Sequence, residues 1–256
     1  MIHPTAIVDP GARIGEGVEV GAYSIIGADV EIGDRTVIGP HVVVMGPSVI
    51  GSDNKIFQFS SIGEAPQDKK YKGEPSRLVL GDRNIIREFV TLNRGTADGN
   101  NETVIGSDNL FMAYTHVAHD CIVGDHAVFA NAASVSGHVE VGSYAILGGF
   151  TSVHQFTQIG SKAFLGLGSV VTQDIPPFTT AAGNRARVIG INKEGLKRKG
   201  FEPDLIRALH KSCRELLKTR GAKQEAFEKL KPLCDKYPEV DEFVSFVKNS
   251  KRGIAS

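Results

Sequence analysis

Aliphatic residues recur along this chain with a spacing of six. The first five, each followed by glycine, are Ile14, Val20, Ile26, Ile32 and Ile38. The phase continues to Ile62 and reappears at Leu80; after one shift it runs from Ile105 to Val171. A period of six matches neither the 3.6 of a helix nor the simple alternation of a strand with long loops. The pattern therefore predicts short strands separated by regular corners.

This period is typical of an all-β solenoid, in which three hexads close one triangular coil. The recurring aliphatic residue points inward, and so does the residue two positions before it, because side chains alternate along a strand. Those second positions carry small or branched residues: Ala12, Val18, Ser24, Val30, Thr36, Cys121, Val139, Ala145 and Thr151. The glycine after each aliphatic residue suits a tight bend. Coils stack about 4.8 Å apart, so roughly eight to ten coils would make a prism on the order of 40 Å tall.

The six-residue pattern stops near Asp174, and helical patterns follow. A first helix is predicted from Pro203, with Leu205, Leu209, Cys213, Leu216 and Leu217 on one face and Gly221 as its stop. Two more helices are predicted around residues 224–236 and 240–248. We therefore predict two domains: residues 1–190 form the solenoid and residues 191–256 form a C-terminal α-helical domain.

Charge is unevenly divided between these two parts, although the whole chain has a formal net charge of zero. Residues 1–192 hold 13 Lys and Arg against 19 Asp and Glu, a balance of −6; residues 193–256 hold 16 against 10, a balance of +6. The basic C-terminal part either attracts an acidic partner or is a solvated helical surface.

The composition and the N-terminal residues indicate a cellular compartment. The three cysteines are few and far apart in the sequence, which favours a reducing cytoplasm over a disulfide framework. No apolar run approaches the roughly 18–20 residues that cross a bilayer. The sequence MIHPTAIVDP has neither the basic nor the apolar region of a signal peptide.

The repeat register places four histidines outside the core. His116 precedes the inward Val117, and His119 lies with Asp120 in the following corner. Two further histidines, His138 and His154, lie about one coil apart from them and from each other. Residues one coil apart stack on neighbouring rungs, so the four histidines can converge on one cleft, most simply between two solenoids packed side by side. Cys121 instead faces inward, as a structural residue.

Two chemistries fit this histidine group. Three histidines from adjacent rungs can bind zinc and activate water, as γ-class carbonic anhydrases do. Alternatively, one histidine is a general base that removes a proton from a hydroxyl or amine attacking a thioester, as in hexapeptide acyltransferases. Asp120 beside His119 favours the base, because a carboxylate orients an imidazole. The backbone near Gly137 can offer an N–H to an oxyanion.

Two segments interrupt the repeat: residues 64–79 and residues 94–104. The first reads EAPQDKKYKGEPSRLV, whose lysine-rich tip suits a phosphate or a charged nucleotide. The alternative is a solvated charged loop.

Several motifs together resemble the UDP-N-acetylglucosamine acyltransferase family, essentially from end to end. They are the repeat itself, QDKKYKGEP, NRGT, HVAHDC, SGHV, GGFTSVHQF and GNRARVIGINKEGLKRKGF. The resemblance implies a cytoplasmic homotrimer of left-handed β-helices with sites between subunits. It also implies transfer of an (R)-3-hydroxyacyl group from acyl carrier protein to the 3-hydroxyl of UDP-N-acetylglucosamine, the first step of lipid A synthesis. No cofactor, metal, nucleic-acid partner or membrane-spanning segment is expected.

The family motifs assign roles to individual residues. His119 resembles the general base, Asp120 its orienting acid and Gly137 the oxyanion donor. The residues that resemble substrate contacts are Gln67, Asp68, Lys70, His116, His138, His154 and Gln155, with Asn192, Glu194 and Arg198 on the nucleotide sugar. The basic C-terminal part then docks the acidic carrier protein.

Three residues depart from the family pattern. Lys199 stands where a second arginine is common, which weakens the expected phosphate grip. Asn93 stands where NRGT often begins with histidine. Leu167 stands where some members have glycine at the floor of the acyl groove, and a leucine there fills space, so we expect an acyl chain of about ten to twelve carbons.

Three alternatives remain beside this family assignment. The related N-acyltransferase carries an additional N-terminal uridine-binding domain, whereas this repeat starts within the first ten residues. A γ-carbonic-anhydrase-like metalloenzyme would bind stoichiometric zinc. A scaffold without catalytic activity would not depend on His119.

Overall fold

The computed structural model describes residues 1–218 and 223–256, and short β-strands arranged in three sheets extend over residues 7–191. The first sheet consists, in spatial order, of β1 (Ile7–Val8), β4 (Ile25–Ile26), β7 (Val43–Val44), β10 (Ser61–Glu64), β13 (Thr91–Asn93), β16 (His116–Val117), β19 (Ser134–Val135), β22 (Ser152–Val153) and β25 (Val170–Val171).

The second and third sheets use the strands in between. The second consists of β2 (Arg13–Ile14), β5 (Val30–Ile32), β8 (Ser48–Ile50), β11 (Arg77–Leu80), β14 (Glu102–Ile105), β17 (Ile122–Val123), β20 (Glu140–Val141) and β23 (Gln158–Ile159). The third consists of β3 (Glu19–Val20), β6 (Val37–Ile38), β9 (Lys55–Ile56), β12 (Ile85–Ile86), β15 (Leu110–Phe111), β18 (Val128–Phe129), β21 (Ile146–Leu147), β24 (Phe164–Leu165), β26 (Thr179–Ala182) and β27 (Arg187–Ile191).

Each strand from β1 to β22 pairs in parallel with the strand three places along the chain, so the chain visits the three sheets in turn. Ile7 pairs with Ile25 and Ile25 with Val43, a register of 18 residues or three hexads. The recurring aliphatic residues from Val20 onward are buried, as predicted, whereas Ile14 is half-buried. The second inward position is buried at all the predicted residues except the half-buried Ala12. The predicted hexapeptide repeat with parallel strands is confirmed. We call strands β1 to β27 and their connections the three-sheet body.

The glycines after the aliphatic residues have a different role from the one predicted. The left-handed backbone of the corners is adopted two residues later, for example at Tyr23 with φ 59° and Arg35 with φ 57°. Gly21 is instead needed for close approach, because a Cβ there would lie 2.6 Å from the backbone carbon of Gly39 on the next coil. Coil stacking, rather than the bend, therefore demands glycine at this position.

Helices follow the three-sheet body. They are α1 (Lys193–Arg198), α2 (Pro203–Cys213), a π-helical segment (Arg214–Lys218), α3 (Lys223–Lys236) and α4 (Pro238–Asn249). The three predicted helices are present, whereas α1 and the antiparallel pair β26–β27 were not predicted. The predicted stop at Gly221 lies outside the described residues. In the described part of the chain, no helix combines the length and apolarity needed to cross a membrane.

The buried apolar side chains form one cluster that continues from the three-sheet body into the helices. It includes Leu165 and Phe178 of the body together with Leu209, Val240 and Phe243 of the helices, all of them fully buried. The division into domains at residue 190 remains a prediction.

Three corners join the sheets, and they differ in the length of their connections. The first corner leads from the first sheet to the second, the second corner from the second to the third, and the third corner back to the first. Both interruptions of the repeat lie at the first corner, where residues 65–76 connect β10 to β11 and residues 94–101 connect β13 to β14. The non-repetitive parts of the body are therefore collected along one edge.

Candidate active site

A histidine and a carboxylate are hydrogen-bonded to each other at the first corner. Nδ1 of His119 lies 2.8 Å from Oδ2 of Asp120, and the two side chains are 14% and 0% exposed. Both residues lie in the corner after Val117, where the sequence placed them, but the carboxylate of Asp120 is not exposed there. Its carboxylate is buried because the connection 94–101 folds over it.

Four hydrogen bonds occupy the Asp120 carboxylate. The backbone N–H groups of Thr96 and Asn100 donate to Oδ1 over 3.0 and 3.1 Å, and the Thr96 hydroxyl donates to Oδ2 over 2.6 Å. His119 provides the fourth. Burial raises the pKa of Asp120, but the hydrogen bonds from Thr96 and His119 outweigh burial, so that the pKa lies below the ordinary value. Asp120 is therefore a fixed anion at neutral pH.

Gly99 explains how the loop approaches the carboxylate so closely. A Cβ at Gly99 would lie 2.3 Å from Cγ of Asp120. Any larger residue would push the loop away and remove the donors of Thr96 and Asn100.

The hydrogen bond to Asp120 determines which nitrogen of His119 is basic. An ionised carboxylate only accepts, so Nδ1 carries the proton and Nε2 keeps its lone pair. Nε2 lies 4.0 Å from Oδ2 of Asp68, on the first inserted loop. The free nitrogen thus faces a gap between the corner and this loop.

Gly137, one coil further, lies directly against the imidazole of His119. It is buried, and a Cβ there would lie 2.5 Å from Cε1 of His119. Its backbone N–H has no hydrogen-bond acceptor among the residues that the structure describes. This position combines an available donor with the close contact that only glycine allows.

His138 packs against His119 edge to face. The ring centroids are 5.2 Å apart at 89°, and His138 also stacks on Phe156 with the ring centroids 4.4 Å apart. Burial lowers the pKa of His138, the nearby Asp120 carboxylate opposes this, and the net pKa is below the ordinary value. His138 is therefore a neutral ring at neutral pH.

His116 lies on the strand that leads into the same corner. Its Nδ1 lies 2.7 Å from the hydroxyl of Thr91 on the neighbouring coil. Burial, and to a lesser extent the proximity of His119, lower its pKa. Cys121 is fully buried, as predicted, and burial raises the pKa of its thiol to about 12, which leaves it unreactive.

The first inserted loop is tied to the body by two residues of the NRGT motif. Arg94 donates to the carbonyl oxygens of Gly46 and Gly63 over 3.1 and 2.8 Å and to the hydroxyl of Tyr71 over 3.2 Å. The buried Asn93 donates to the backbone of Glu64 and Ala65. Asparagine at position 93 thus holds the base of the loop.

The loop carries three of the predicted substrate contacts. Gln67 and Lys70 are exposed, and Asp68 is half-buried near His119. Nζ of Lys70 lies 4.0 Å from Asp98 on the second inserted loop, so the two loops approach each other.

His154 and Gln155 are exposed at the same corner, one coil beyond His138. Residues of the C-terminal tail, residues 250–256, meet them there: Arg252 lies 3.1 Å from Nδ1 of His154. A cavity of about 350 Å³ lies beside His138 and Phe156 and is bounded on its other side by Lys251 and Arg252.

The chain does not bring the remaining predicted contacts to this corner. Asn192 caps α1 by accepting from the Gly195 N–H over 3.1 Å, and it donates to the carbonyl of Lys162 at the second corner. Glu194 and Arg198 lie exposed on α1, with Glu194 paired to Lys197 at 3.1 Å.

Two further residues also lie away from His119. Nζ of Lys199 lies 3.9 Å from the ring centroid of Tyr144 at the second corner, a cation–π contact. Leu167 lies at the third corner and is 76% exposed.

The histidine–carboxylate cluster also has the composition of a metal site. Ligand atoms of His119, Asp120 and His138 lie within 4.8 Å of one another. Both oxygens of Asp120 already accept two hydrogen bonds each, so a metal ion would have to replace some of these donors.

Sequence reasoning missed Thr96, Gly99 and Asn100, which bury and hold Asp120. The available signal was the second interruption of the repeat, because a break in a regular solenoid marks a segment with its own purpose.

The repeat and the corner site together define a hexapeptide-repeat transferase. A family described as bacterial transferase hexapeptide matches residues 102–137, and a family described as UDP N-acetylglucosamine O-acyltransferase, domain 2, matches residues 174–255.

Curated relatives match over nearly the whole chain. Proteins from Herminiimonas arsenicoxydans and Thiobacillus denitrificans, both named acyl-[acyl-carrier-protein]--UDP-N-acetylglucosamine O-acyltransferase, are each 52% identical over 99% of this chain and 98% of their own length. The chain belongs to this acyltransferase family, which confirms the resemblance.

Solved structures agree with this assignment. The UDP-N-acetylglucosamine O-acyltransferase of Moraxella catarrhalis is 42% identical with a TM-score of 0.97, covering 100% of this chain and 99% of that one. The corresponding acyltransferase of Francisella novicida is 37% identical with a TM-score of 0.96, covering 99% and 93%.

Proposed function

We propose that this protein transfers an (R)-3-hydroxyacyl group from acyl carrier protein to the 3-hydroxyl of UDP-N-acetylglucosamine, the first step of lipid A synthesis. The observation that carries the proposal is the His119–Asp120 pair, in which a buried anion leaves Nε2 of the imidazole free. The names of the curated relatives supply the substrates.

His119 acts as general base through Nε2. The 3-hydroxyl of the sugar transfers its proton to Nε2 while its oxygen attacks the carbonyl carbon of the thioester. The carbon–sulfur bond then breaks, and the imidazolium returns the proton to the departing thiolate. Asp120 stabilises the imidazolium through Nδ1, which the 2.8 Å hydrogen bond supports.

Gly137 donates its backbone N–H to the oxyanion of the tetrahedral intermediate. The N–H has no acceptor among the described residues, and it lies beside the His119 ring where the attacked carbonyl would stand.

Residues around the gap hold the substrates. Asp68 faces Nε2 of His119 at 4.0 Å, so it accepts from a second polar hydrogen of the sugar or from the acyl 3-hydroxyl. Gln67, Lys70, His116 and His138 contact the substrates from the loop and from the corner.

The nucleotide-sugar contacts require a second copy of the chain. Asn192, Glu194 and Arg198 lie on α1 near the second corner, and Leu167 lies at the third, whereas His119 lies at the first. A homotrimer of left-handed solenoids, with each site between two chains, would join corners that one chain keeps apart. Nζ of Lys199 is engaged by the ring of Tyr144, so we expect Arg198 to provide the main grip on a phosphate.

Leu167 shortens the acyl groove in this assembly. Its exposed side chain would occupy the end of the groove, and we expect a chain of about ten to twelve carbons. Rates compared across 3-hydroxyacyl carrier proteins test this, and fastest transfer of a chain of about fourteen carbons would contradict it.

The basic C-terminal part docks the acidic carrier protein. Its net charge of +6 supports this role.

We place the enzyme in the cytoplasm and expect it to need no cofactor. Its two domains are a solenoid of residues 1–190 and a helical domain of residues 191–256.

The mass of the product tests the reaction. Purified protein is incubated with UDP-N-acetylglucosamine and a mixed pool of 3-hydroxyacyl carrier proteins. We expect the mass of the UDP-sugar to increase by one hydroxyacyl group. The added group should resist amidase and should be released by mild base, because it is linked as an ester. An amide product, or none, would overturn the proposal.

A metalloenzyme resembling γ-carbonic anhydrase is the second candidate, because His119, Asp120 and His138 place ligand atoms within 4.8 Å. Stoichiometric zinc in the purified protein, with activity lost on chelation, would favour it over the acyltransferase mechanism.

A further inference from the structure

The C-terminal tail is fixed to the last coil at the first corner. The buried Asp174 accepts from the Ser250 hydroxyl over 2.6 Å. The Asp174 N–H donates to Gly253 and its carbonyl accepts from Ala255, over 2.9 and 3.1 Å. These bonds give the residues between them a defined position beside the active site.

Arg252, within this tail, reaches back to His154. Its Nε donates to the carbonyl of Thr172 over 3.1 Å, and its Nη2 lies 3.1 Å from Nδ1 of His154. A guanidinium can only donate hydrogen bonds. This contact therefore requires Nδ1 of His154 to be without a proton.

A second neighbour requires the opposite arrangement. The carbonyl oxygen of Gln155 also lies 3.1 Å from Nδ1 of His154, and a carbonyl can only accept. The two neighbours thus favour different tautomers of one imidazole. A bond from a charged donor is roughly twice as strong as one between neutral groups, and Thr172 holds the guanidinium in place.

We propose that Arg252 is a positioning residue that selects the tautomer of His154 with the proton on Nε2. Nε2 has no partner among the described residues, so this tautomer presents an N–H donor at the active-site corner. Its complement is an acceptor oxygen of a substrate: a carbonyl, a hydroxyl or a phosphate. The substrate contact, but not the choice of tautomer, rests on the proposed function.

The tautomer is measured directly by nitrogen-15 NMR of labelled histidine, at about pH 8, above the ordinary pKa of histidine. The His154 signals are assigned with His154→Gln. We expect the proton on Nε2 in the natural protein and in Arg252→Lys, which keeps a charged donor. In Arg252→Met we expect the proton to move to Nδ1, where Gln155 accepts it. Lys251→Met, which removes the neighbouring charge, should leave the tautomer as it is.

Kinetics test whether the tautomer matters. Arg252→Met should raise the KM of one substrate roughly three- to tenfold, the effect of losing one hydrogen bond, with a smaller change in kcat. In a His154→Ala background the same substitution should have no further effect, because Arg252 acts through His154.

Three outcomes separate the alternatives. An unchanged tautomer in Arg252→Met overturns the proposal, whatever the activity. An equal kinetic loss in the His154→Ala background shows that Arg252 does not act through His154. If the tautomer changes as predicted but the protein does not acylate UDP-N-acetylglucosamine, the positioning role of Arg252 stands and the proposed function is wrong.

Discussion

The first and second corners of the body are built from the same repeat, yet they hold polar side chains in different ways. At the second corner, exposed charges pair along the column: Arg35 with Asp53 and Arg83 with Asp108, each over two 2.8 Å bonds. At the first corner, one carboxylate is completely buried and holds a single histidine. The difference comes from the two inserted loops.

Both corners contain a histidine close to an aspartate, so the same pair of residue types can be compared in two environments. His126 at the second corner lies 3.9 Å from Asp108 and is 43% exposed, whereas His119 lies 2.8 Å from Asp120 and is 14% exposed. Only the second of these pairs is removed from water by a covering loop. The two pairs therefore differ in the distance between imidazole and carboxylate and in the burial of the acid, and these two properties set the first corner apart.

The largest effect is expected from exchanging the two histidines for alanine separately. His119→Ala should reduce kcat by about 10²- to 10⁴-fold, because the proton acceptor is lost. His126→Ala should leave the rate essentially unchanged. Rates of acyl transfer by folded proteins check this, and similar losses in both variants would show that His119 has no special role.

Gly137→Ala should have the next largest effect. Its methyl group would overlap the His119 ring and move it, and a displacement on the order of 1 Å costs about 100-fold in rate. Gly142→Ala is the matched control, because its Cβ would meet the backbone of Ser161 at 2.5 Å, away from the site. It should lower the melting temperature and spare the rate of the folded fraction.

Thr96→Val removes the hydroxyl donor to Asp120 but keeps the backbone N–H. We expect kcat to fall about tenfold, as for other residues that orient a catalytic group, and the free energy of unfolding to fall by about 1–3 kcal/mol. Thr96→Ser keeps a hydroxyl donor, so its kcat and its free energy of unfolding should stay close to those of the natural protein. Urea unfolding and steady-state rates measure the two effects, and a fully active Thr96→Val would contradict the anchoring role.

Asp120 should also contribute to the pH dependence of stability. Its folded pKa is below the unfolded value, so its stabilising contribution is present above the ordinary aspartate pKa, and it is lost as the pH falls through the lower folded pKa. Asp120→Asn should therefore be less stable than the natural protein at neutral pH, and the difference should shrink on acidification. Denaturation at a series of pH values tests this; a constant difference would contradict it.

The smallest effect is expected at the ion pair of the second corner. Arg83→Gln removes both charge-assisted bonds to Asp108, but the arginine is 54% exposed and the pair is screened by solvent. We expect a change in the free energy of unfolding smaller than that of Thr96→Val, and no change in rate. A larger loss would mean that the exposed column stabilises the coils more than the buried network does.

Much of the fold could be predicted because the repeat is a local property. The six-residue spacing identified the inward positions and the parallel coils, and the register correctly sent Cys121 inward and the histidines outward. The antiparallel strand β27 and the short α1 were not predicted, because both follow the end of the six-residue pattern and β27 pairs with β26.

The candidate site was predicted in part, through His119 and its adjacent Asp120. The residues that bury the acid lie 20 and 24 positions earlier in the chain, in a loop without periodicity. Arg252 lies 98 positions from His154. Such contacts depend on how irregular segments fold against the body, which a periodic pattern does not encode.

The sequence alone therefore determined the repeat, the direction of each side chain within it and the pairing of His119 with Asp120, because strand alternation and adjacency are local. Only the tertiary structure decided that Asp120 is buried under Thr96 and Gly99, and that the predicted contacts of α1 lie at a different corner from His119. The burial of a side chain and the convergence of distant residues depend on which segments pack together. The repeat does not determine this, because stacked coils allow loops of any length at their corners.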